Sequence, residues 1–268
     1  MAYLGPEGTY SHIAAVETFG SQTDLLPLST IPEVFDAVDR GVADHGLVPV
    51  ENTTEGVVTV TLDTFVDSDV SICGETLLRV SHDLLSRTGR LEDVERVASH
   101  PQPLAQCRGW LDRHLPGAER VALASTAAAA READADPATA AIGSALLGEL
   151  VGLSTCASAI EDRRDNTTRF LVIGREEVSP SGRDKTSIIV SSRNKPGALF
   201  TLLEPFRRGN VSLTRIDTRP SRTEKWAYVF FIEFEGHLQD EIIATIMVEL
   251  EEQSIMLKPL GSYPQALL

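Results

Sequence analysis

Short apolar segments alternate with helix-like segments over the first two-thirds of the chain, and this alternation constrains the fold more than any other feature. The predicted strands are residues 2–4, 46–50, 96–98, 121–123, 140–142 and 170–173. The predicted helices are residues 11–19, 31–40, 101–114, 144–150 and an Ala-rich segment from Thr126. Residues 57–65 fit both patterns, and the spacing of Val58, Leu62 and Phe65 favours a helix. The order predicts an α/β fold with mostly parallel strands.

The pattern starts again after residues 176–184, which are rich in Ser, Pro, Gly and charged residues and poor in apolar ones. Such a composition is typical of a linker. The predicted elements after it are a strand, a helix, two strands, a helix and a strand, at residues 186–191, 197–207, 211–217, 226–235, 240–251 and 255–259. This β-α-β-β-α-β order is that of ferredoxin-like domains. We therefore expect a small second domain after a larger α/β domain.

The charge and the cysteine content argue against several classes of function. The 268 residues carry a net charge of -15, which is unfavourable for wrapping nucleic acid or docking on an anionic membrane. The three cysteines are scattered and form no CxxC pair, so we expect reduced thiols instead of a disulfide framework or a zinc site. The sequence indicates neither a signal peptide nor a membrane span. These features predict a soluble cytoplasmic protein.

Polar clusters follow four predicted strands of the first domain, at residues 5–12, 51–56, 99–102 and 125–126. Ligands of parallel α/β sheets bind at the carboxyl ends of the strands, near helix N-termini, so we expect the clusters to line one cleft. Each cluster alone is more typical of turns and helix caps than of a ligand site. A fifth cluster, residues 166–170, adds the Thr168 hydroxyl and Arg169, a candidate counter-ion in an acidic protein. Such a cleft would suit a ligand with carboxylate groups.

Motifs of other enzyme classes are absent from the sequence. It contains no GxGxxG after a strand, no GxxxxGK[ST], no HExxH and no GxSxG. The six histidines are dispersed, so no set of metal ligands is apparent. Cys107 lies in a helix with Ala and Leu neighbours, and we interpret it as buried packing and not as a nucleophile.

The motifs resemble, in order, those of prephenate dehydratases with a C-terminal ACT domain. Residues 5–11 (GPEGTYS) are similar to the first family motif, and residues 48–53 (VPVENT) are similar to its VPIENS segment, with Thr53 in place of Ser. Residues 99–107 (SHPQPLAQC) match SHPQALAQC apart from Pro103. Residues 166–170 (NTTRF) match the NxTRF signature, whose threonine is Thr168 here. Together with the ACT-like tail, these motifs span nearly the whole chain.

The resemblance implies a two-lobed catalytic domain at residues 1–178, similar to type-II periplasmic binding proteins, with the active site between the lobes. One lobe would contain residues 1–75 and 159–178, and the other residues 76–158. A ferredoxin-like ACT domain would follow at residues 185–264.

The implied reaction is the decarboxylating dehydration of prephenate to phenylpyruvate, which needs no cofactor because the ring becomes aromatic. Thr168 would act on the leaving hydroxyl as a donor within a relay, or through a precise hydrogen bond that strengthens as charge develops, since a threonine hydroxyl alone is a very weak acid. Glu51 and His100 are candidates to tune that relay, although a structural role of His100 at a helix start is equally consistent. The predicted substrate-binding residues are Asn52, Ser99, Gln102, Ser125, Thr126, Arg169 and Phe170.

The resemblance also implies phenylalanine as an effector of the ACT domain. Residues 196–199 (PGAL) resemble the turn that contacts phenylalanine, and residues 217–220 (DTRP) correspond to the family motif ESRP. Asp217 would meet the ammonium group of the ligand, directly or by shaping the loop. The predicted effector site is Asn194, Pro196, Gly197, Ala198, Leu199, Asp217 and Thr218. A homodimer or homotetramer is implied, and we expect no metal, nucleic-acid or membrane partner.

Alternative functions remain open at this point. Arogenate dehydratase has the same fold and chemistry on an aminated substrate, for which Glu51 or Glu55 would be the acidic partner. A non-catalytic amino-acid sensor would combine a two-lobed binding domain with the regulatory module, although the intact residues 168–170 argue against it. A domain of a larger chorismate-processing enzyme is disfavoured because no helical mutase segment is seen before Tyr3.

Overall fold

The computed structural model describes residues 1–192, 195–220 and 228–266, which form three β-sheets. The first elements are β1 (Ala2–Leu4), α1 (Tyr10–Phe19), β2 (Leu26–Leu28), α2 (Ile31–Asp39), β3 (Gly46–Asn52), β4 (Gly56–Val57), α3 (Thr59–Asp67) and β5 (Ser71–Arg79). Next come β6 (Asp83–Ser86), a 3₁₀ turn (Leu91–Asp93), β7 (Arg96–Ser99), α4 (Pro101–Gln106), α5 (Arg108–His114), β8 (Glu119–Ala122), α6 (Thr126–Ala135), β9 (Thr139–Gly143), α7 (Ala145–Val151) and β10 (Ser154–Ala157). The last elements are β11 (Thr167–Gly174), β12 (Asp184–Ser191), α8 (Ala198–Arg208), β13 (Leu213–Pro220), β14 (Tyr228–Glu235), α9 (Glu241–Gln253) and β15 (Met256–Pro264).

The first two sheets are mixed, so the prediction of mostly parallel strands is wrong. The first sheet has the order β2-β1-β3-β11-β5, and the second has the order β10-β6-β9-β7-β8. Strands β5, β11, β6 and β10 pair antiparallel with their neighbours, whereas the remaining long strands of each sheet run parallel. Strands β6 and β11 come directly after the two passages of the chain between the sheets, so no crossover helix precedes them to make them parallel to their neighbours.

The first sheet has different partners on its two faces. Phe170 and Val172 of β11 pack with α1 in one core. Leu171 and Ile173 pack with α2, α3 and the third sheet in another core. This division follows from the alternation of side chains along a strand. Residues 76–79, which the sequence analysis placed in the second lobe, belong to β5 of this first sheet.

The third sheet has the order β13-β14-β12-β15 and is antiparallel, which is the ferredoxin-like arrangement predicted from the sequence. Helices α8 and α9 cover one of its faces. The other face contributes Ile189, Phe231, Leu260 and Tyr263 to the core that it shares with the first sheet. Among the described residues, no helix is long and apolar enough to cross a membrane.

Two local predictions are refined by the structure. The helix favoured for residues 57–65 is present as α3, and a two-residue strand precedes it. The single helix predicted at residues 101–114 is divided at Cys107, where the backbone leaves the helical conformation. The Cys107 side chain is fully buried, as predicted, and burial raises the pKa of its thiol well above the usual range.

A buried ion cluster joins the first and third sheets. The Arg169 guanidinium lies 2.6 Å from Glu75 Oε2 and 2.8 Å from Glu233 Oε2, and Lys185 Nζ lies 2.9 Å from Glu75 Oε1. The side chains of Arg169 and Glu75 are only 11% and 2% exposed. Burial alone would raise the pKa of Glu75, but Arg169, Lys185 and a backbone N–H lower it, and the net shift is downward. Removing one member would leave a buried charge without its partner.

We therefore expect Arg169→Lys to destabilise the protein. A lysine ammonium group lacks the planar, branched guanidinium with which Arg169 reaches the carboxylates of both Glu75 and Glu233. The free energy of unfolding should fall by about 1–3 kcal/mol, the scale of charged hydrogen bonds. Urea denaturation followed by circular dichroism measures this free energy of unfolding. Arg90→Lys is the matched control, because Arg90 pairs with Glu92 on the exposed surface. Equal stability of the two variants would contradict the role assigned to the cluster.

Candidate active site

The Thr168 hydroxyl is held by a side-chain amide whose orientation is fixed. Asn52 lies opposite Thr168 on the neighbouring strand, and its Nδ2 donates to Thr168 Oγ1 and to Asn166 Oδ1, each at 2.8 Å. Asn52 Oδ1 accepts the backbone N–H groups of Thr54 and Glu55 at 2.9 and 3.0 Å, which excludes the flipped amide. Thr168 Oγ1 is therefore an acceptor toward Asn52. Its own hydrogen has no acceptor within the described residues, so the hydroxyl is available to donate to a ligand.

The chain of amides continues to a buried histidine. Asn166 Nδ2 donates to Gln106 Oε1 at 3.4 Å, and His82 Nε2 lies 2.6 Å from the same oxygen. On its other side, His82 Nδ1 lies 2.7 Å from the Tyr10 hydroxyl. His82 is 1% exposed, and burial lowers its pKa, although the bond to Gln106 and nearby carboxylates oppose that shift. We expect a neutral imidazole at pH 7.

The hydrogen-bonded chain connects elements on both sides of the cleft. Tyr10 belongs to α1 of the first sheet, and Gln106 ends α4 beside the second sheet. His82 and Asn166 lie in the two passages of the chain between the sheets. The amide chain is therefore sensitive to the relative position of the two sheets.

A cavity of about 220 Å³ adjoins this chain. It is lined by Thr54, Ala105, Gln106, Glu161, Asp162, Arg163 and Asn166. The Arg163 guanidinium lies 3.0 Å from Asp165, but its side chain is 75% exposed, so the pair is weak. Asp162 accepts two backbone N–H groups at the start of α5, and Glu161 accepts the His82 N–H. Amide donors and one arginine thus remain available to an anionic ligand.

Several predicted residues serve local structure at the second sheet. Ser99 is buried and donates to the Ile142 carbonyl at 2.9 Å. His100 caps α4, where its Nδ1 accepts the Gln102 N–H at 3.4 Å. Within the described residues, none of these three polar side chains is hydrogen-bonded to Thr168. His100 therefore has the structural role that was one of its two predicted alternatives, and a part in the relay stays a prediction.

Ser125 and Thr126 stand at the start of α6. Ser125 Oγ accepts the Ala128 N–H at 3.0 Å, which makes Ser125 the N-cap. Thr126 is the first residue of the helix and is partly buried. Contact of either side chain with a substrate stays a prediction.

Of three further predicted residues, two face away from the Thr168 hydroxyl and one is buried in a core. Arg169 and Glu51 lie opposite each other on β11 and β3, and both reach the third sheet. Arg169 is held in the buried ion cluster, and Glu51 lies 3.2 Å from Arg215 Nη1. Phe170 is fully buried in the core beneath α1. The structure therefore contradicts the predicted places of Arg169 and Glu51 in the cleft, because neighbouring residues of a strand face opposite sides.

The predicted effector turn lies at the start of α8. Gly197 is the N-cap residue and has a φ of +80°, a conformation that side chains other than glycine rarely adopt. Pro196 is exposed, and Ala198 and Leu199 are partly buried. Asn194 lies outside the described residues.

The predicted effector motif on β13 contacts the first sheet. Asp217 pairs with Arg215, the residue that also contacts Glu51, and Thr218 is exposed. Arg219 binds Asp63 of α3 through two hydrogen bonds of 2.8 and 2.9 Å. This strand therefore joins the predicted effector site to β3 and α3.

Sequence analysis missed four members of the hydrogen-bonded chain. Tyr10, Gln106 and Asn166 lie within motifs that were recognised, but no role was assigned to them. His82 lies in none of these motifs. A single histidine after an apolar strand gives no signal by itself, because its partners are distant in the sequence.

Comparison with known proteins agrees with this arrangement. The family model described as prephenate dehydratase matches residues 1–178, and the ACT domain model matches residues 186–252. A bifunctional chorismate mutase/prephenate dehydratase from Stutzerimonas stutzeri is 52% identical over 269 residues, covering 100% of this chain and 74% of that protein.

Two solved structures are also similar. Prephenate dehydratase from Arthrobacter aurescens in complex with L-Phe has a TM-score of 0.91 and 34% identity, covering 98% of this chain and 89% of that one. GqqA, described as a novel type of quorum quenching acylase, has a TM-score of 0.90 and 30% identity, covering 98% of this chain and 97% of that one. The chain belongs to the prephenate dehydratase family and carries a C-terminal ACT domain.

Proposed function

We propose that this chain converts prephenate to phenylpyruvate, water and carbon dioxide, and that phenylalanine regulates it through the ACT domain. The observation that carries the proposal is the Thr168 hydroxyl, which Asn52 holds as an acceptor while its hydrogen is left for a ligand. The family membership and the complete NTTRF motif at residues 166–170 support the same conclusion.

The proposed chemistry uses Thr168 where negative charge develops. The electrons of the bond to the departing carboxylate form the new double bond of the ring, and the ring C–O bond breaks as hydroxide leaves. Thr168 donates to that oxygen, and the Asn52 N–H on Thr168 Oγ1 strengthens the donor by polarising it. A donor aimed in advance at the leaving oxygen stabilises the transition state. The proton that converts hydroxide to water comes from the solvent, and no electrons are exchanged with a cofactor.

The carboxylates of the substrate would be held by donors that line the cavity. Gln106 Nε2 lies 3.5 Å from Glu55 Oε1, a long contact that a substrate carboxylate would replace. Arg163 takes the counter-ion role that the sequence suggested for Arg169, because its exposed pair with Asp165 costs little to break. The positive end of nearby helices would add to this attraction.

Regulation would act through the face of the first sheet that is opposite Thr168. An amino-acid ammonium group bound at Asp217 would compete with Arg215 for that carboxylate. Arg215 also contacts Glu51, which precedes Asn52 on β3. A ligand that binds one arrangement of these pairs better than the other shifts the population toward it.

We also propose a cytoplasmic location and a homodimer or homotetramer, on the basis of the family resemblance. Light scattering coupled to size-exclusion chromatography measures the assembly. A monomer at micromolar concentration would contradict the proposed homodimer or homotetramer.

The direct test of the proposed activity compares possible substrates at equal concentrations. Purified protein is incubated with prephenate, arogenate or an N-acylated amine, and phenylpyruvate, phenylalanine or free amine is quantified. We expect kcat/KM for prephenate to exceed that for arogenate by at least about tenfold, because the cavity offers amides and an arginine, while the two carboxylates in its lining, Glu161 and Asp162, already accept backbone N–H groups. Faster turnover of arogenate would assign the aminated substrate, and amide hydrolysis alone would favour an acylase like GqqA.

Thr168→Ala removes the proposed donor without disturbing the strand. We expect kcat to fall by about 100-fold or more, the usual effect of losing a positioned donor, while KM changes little. Thr245→Ala, on the exposed surface of α9, is the matched control and should leave kcat unchanged. A folded Thr168→Ala protein with normal kcat would rule out the proposed role.

Gly197→Val should weaken phenylalanine inhibition and spare the activity measured without phenylalanine. A side chain at φ +80° strains the turn by about 1–2 kcal/mol and moves its backbone N–H groups. Gly182→Val is the matched control, since Gly182 has a φ of +87° and equally open surroundings in the linker. The measurement is phenylalanine inhibition across prephenate concentrations. Undiminished competitive inhibition of the Gly197→Val protein would place phenylalanine in the catalytic cleft.

A further inference from the structure

His82 is buried between the two halves of the cleft, yet no motif or proposed step includes it. It follows β5 in the first passage between the sheets. Its backbone N–H donates to Glu161 Oε2 at 2.9 Å, and both ring nitrogens have hydrogen-bond partners at 2.6 and 2.7 Å. A buried side chain with three such bonds has one fixed orientation.

The hydrogen-bond directions determine which nitrogen of His82 carries the hydrogen. Asn52 is fixed by two backbone donors, so Asn166 Oδ1 must accept from it and Asn166 Nδ2 must face Gln106. Gln106 Oε1 therefore accepts from Asn166, and an oxygen at 2.6 Å requires a hydrogen on His82 Nε2. Each bond in the series fixes the direction of the next one.

The opposite ring nitrogen completes the same tautomer. A neutral imidazole with hydrogen on Nε2 has an acceptor at Nδ1, and the Tyr10 hydroxyl lies 2.7 Å from it. The hydroxyl also lies 2.6 Å from the Ser81 carbonyl, so its single hydrogen has two possible acceptors. Burial raises the pKa of Tyr10, which keeps that hydrogen in place. The carboxylates of Glu161 and Asp83 act electrostatically on both His82 and Tyr10.

We propose that His82 is a positioning residue for the dehydration, acting through Gln106, Asn166 and Asn52 on the Thr168 hydroxyl. The neutral Nε2–H tautomer holds Gln106 so that its oxygen faces Asn166 and its NH₂ group faces the cavity. Neutral amides orient their neighbours and do not pass a proton along, so His82 is not the donor to the leaving hydroxide. The inference rests on the proposed function, and its test begins once the unmodified protein turns over prephenate.

The test compares His82→Leu with His82→Gln. Leucine removes the donor to Gln106, so the amides lose their fixed orientation and kcat should fall by about 10- to 100-fold, the scale of a misplaced group. The glutamine amide is able to donate to Gln106 and to accept from Tyr10, so His82→Gln should recover most of that loss. The pH profile of its kcat should keep the shape of the unmodified protein. His114→Leu, at the exposed end of α5, is the matched control.

Two results would overturn the proposal. One is a folded His82→Leu protein with unchanged kcat. The other is a His82→Gln protein whose kcat is as low as that of His82→Leu and whose pH profile lacks one limb. Such a result would mean that His82 itself carries the proton transferred in the reaction.

If His82→Leu fails to fold, Tyr10→Phe supplies the test. It keeps the ring and removes only the hydroxyl that pairs with His82 Nδ1. We expect a smaller fall in kcat than for His82→Leu, and an unchanged kcat would count against the proposal. Failure of the proposed function itself would be seen separately, as a lack of turnover by the unmodified protein.

Discussion

The alternation of side chains along β11 determines how the rest of the molecule is arranged. Thr168 faces the amide chain of the cleft, and Arg169 faces the third sheet. Because Arg169 is buried between Glu75 and Glu233, any slip of β11 along its neighbours would leave charges buried without partners. A shift of one residue would also exchange the two faces. The ion cluster on one face thus holds the Thr168 hydroxyl in register with Asn52 on the other.

The same arrangement explains how an amino acid bound to the ACT domain would reach the cleft. The third sheet packs directly on the first, and its strand β13 contacts Glu51 through Arg215 and Asp63 through Arg219. Glu51 and Asn52 are consecutive on β3, so a change in the Arg215 contact acts one residue from the amide that holds Thr168. Coupling of this kind requires two arrangements with different affinities for the effector. The alternative pairings of Asp217, Arg215 and Glu51 are the candidates.

Local periodicity was enough to predict the domain order, the helices and the ferredoxin-like module, because these follow from neighbouring residues. The spacing of Val58, Leu62 and Phe65 thus identified α3 correctly. Strands β5 and β6 were missed because they follow each other without a helix between them, so the alternation of strands and helices gives no signal there. The partners of Arg169 were unpredictable, since Glu75 and Glu233 lie 94 and 64 residues away in the chain. His82 shares this limit, because its tautomer depends on bonds from three separate segments.

We expect Asn52 to contribute to catalysis by holding the Thr168 hydroxyl. A double-mutant cycle with Asn52→Ala, Thr168→Ala and the combined variant measures this coupling in kcat on prephenate. If Asn52 acts through Thr168, the double variant should be within about twofold of Thr168→Ala alone, since the amide has no hydroxyl left to orient. If the two losses multiply instead, Asn52 and Thr168 act independently, and the account of one hydrogen-bonded unit is wrong.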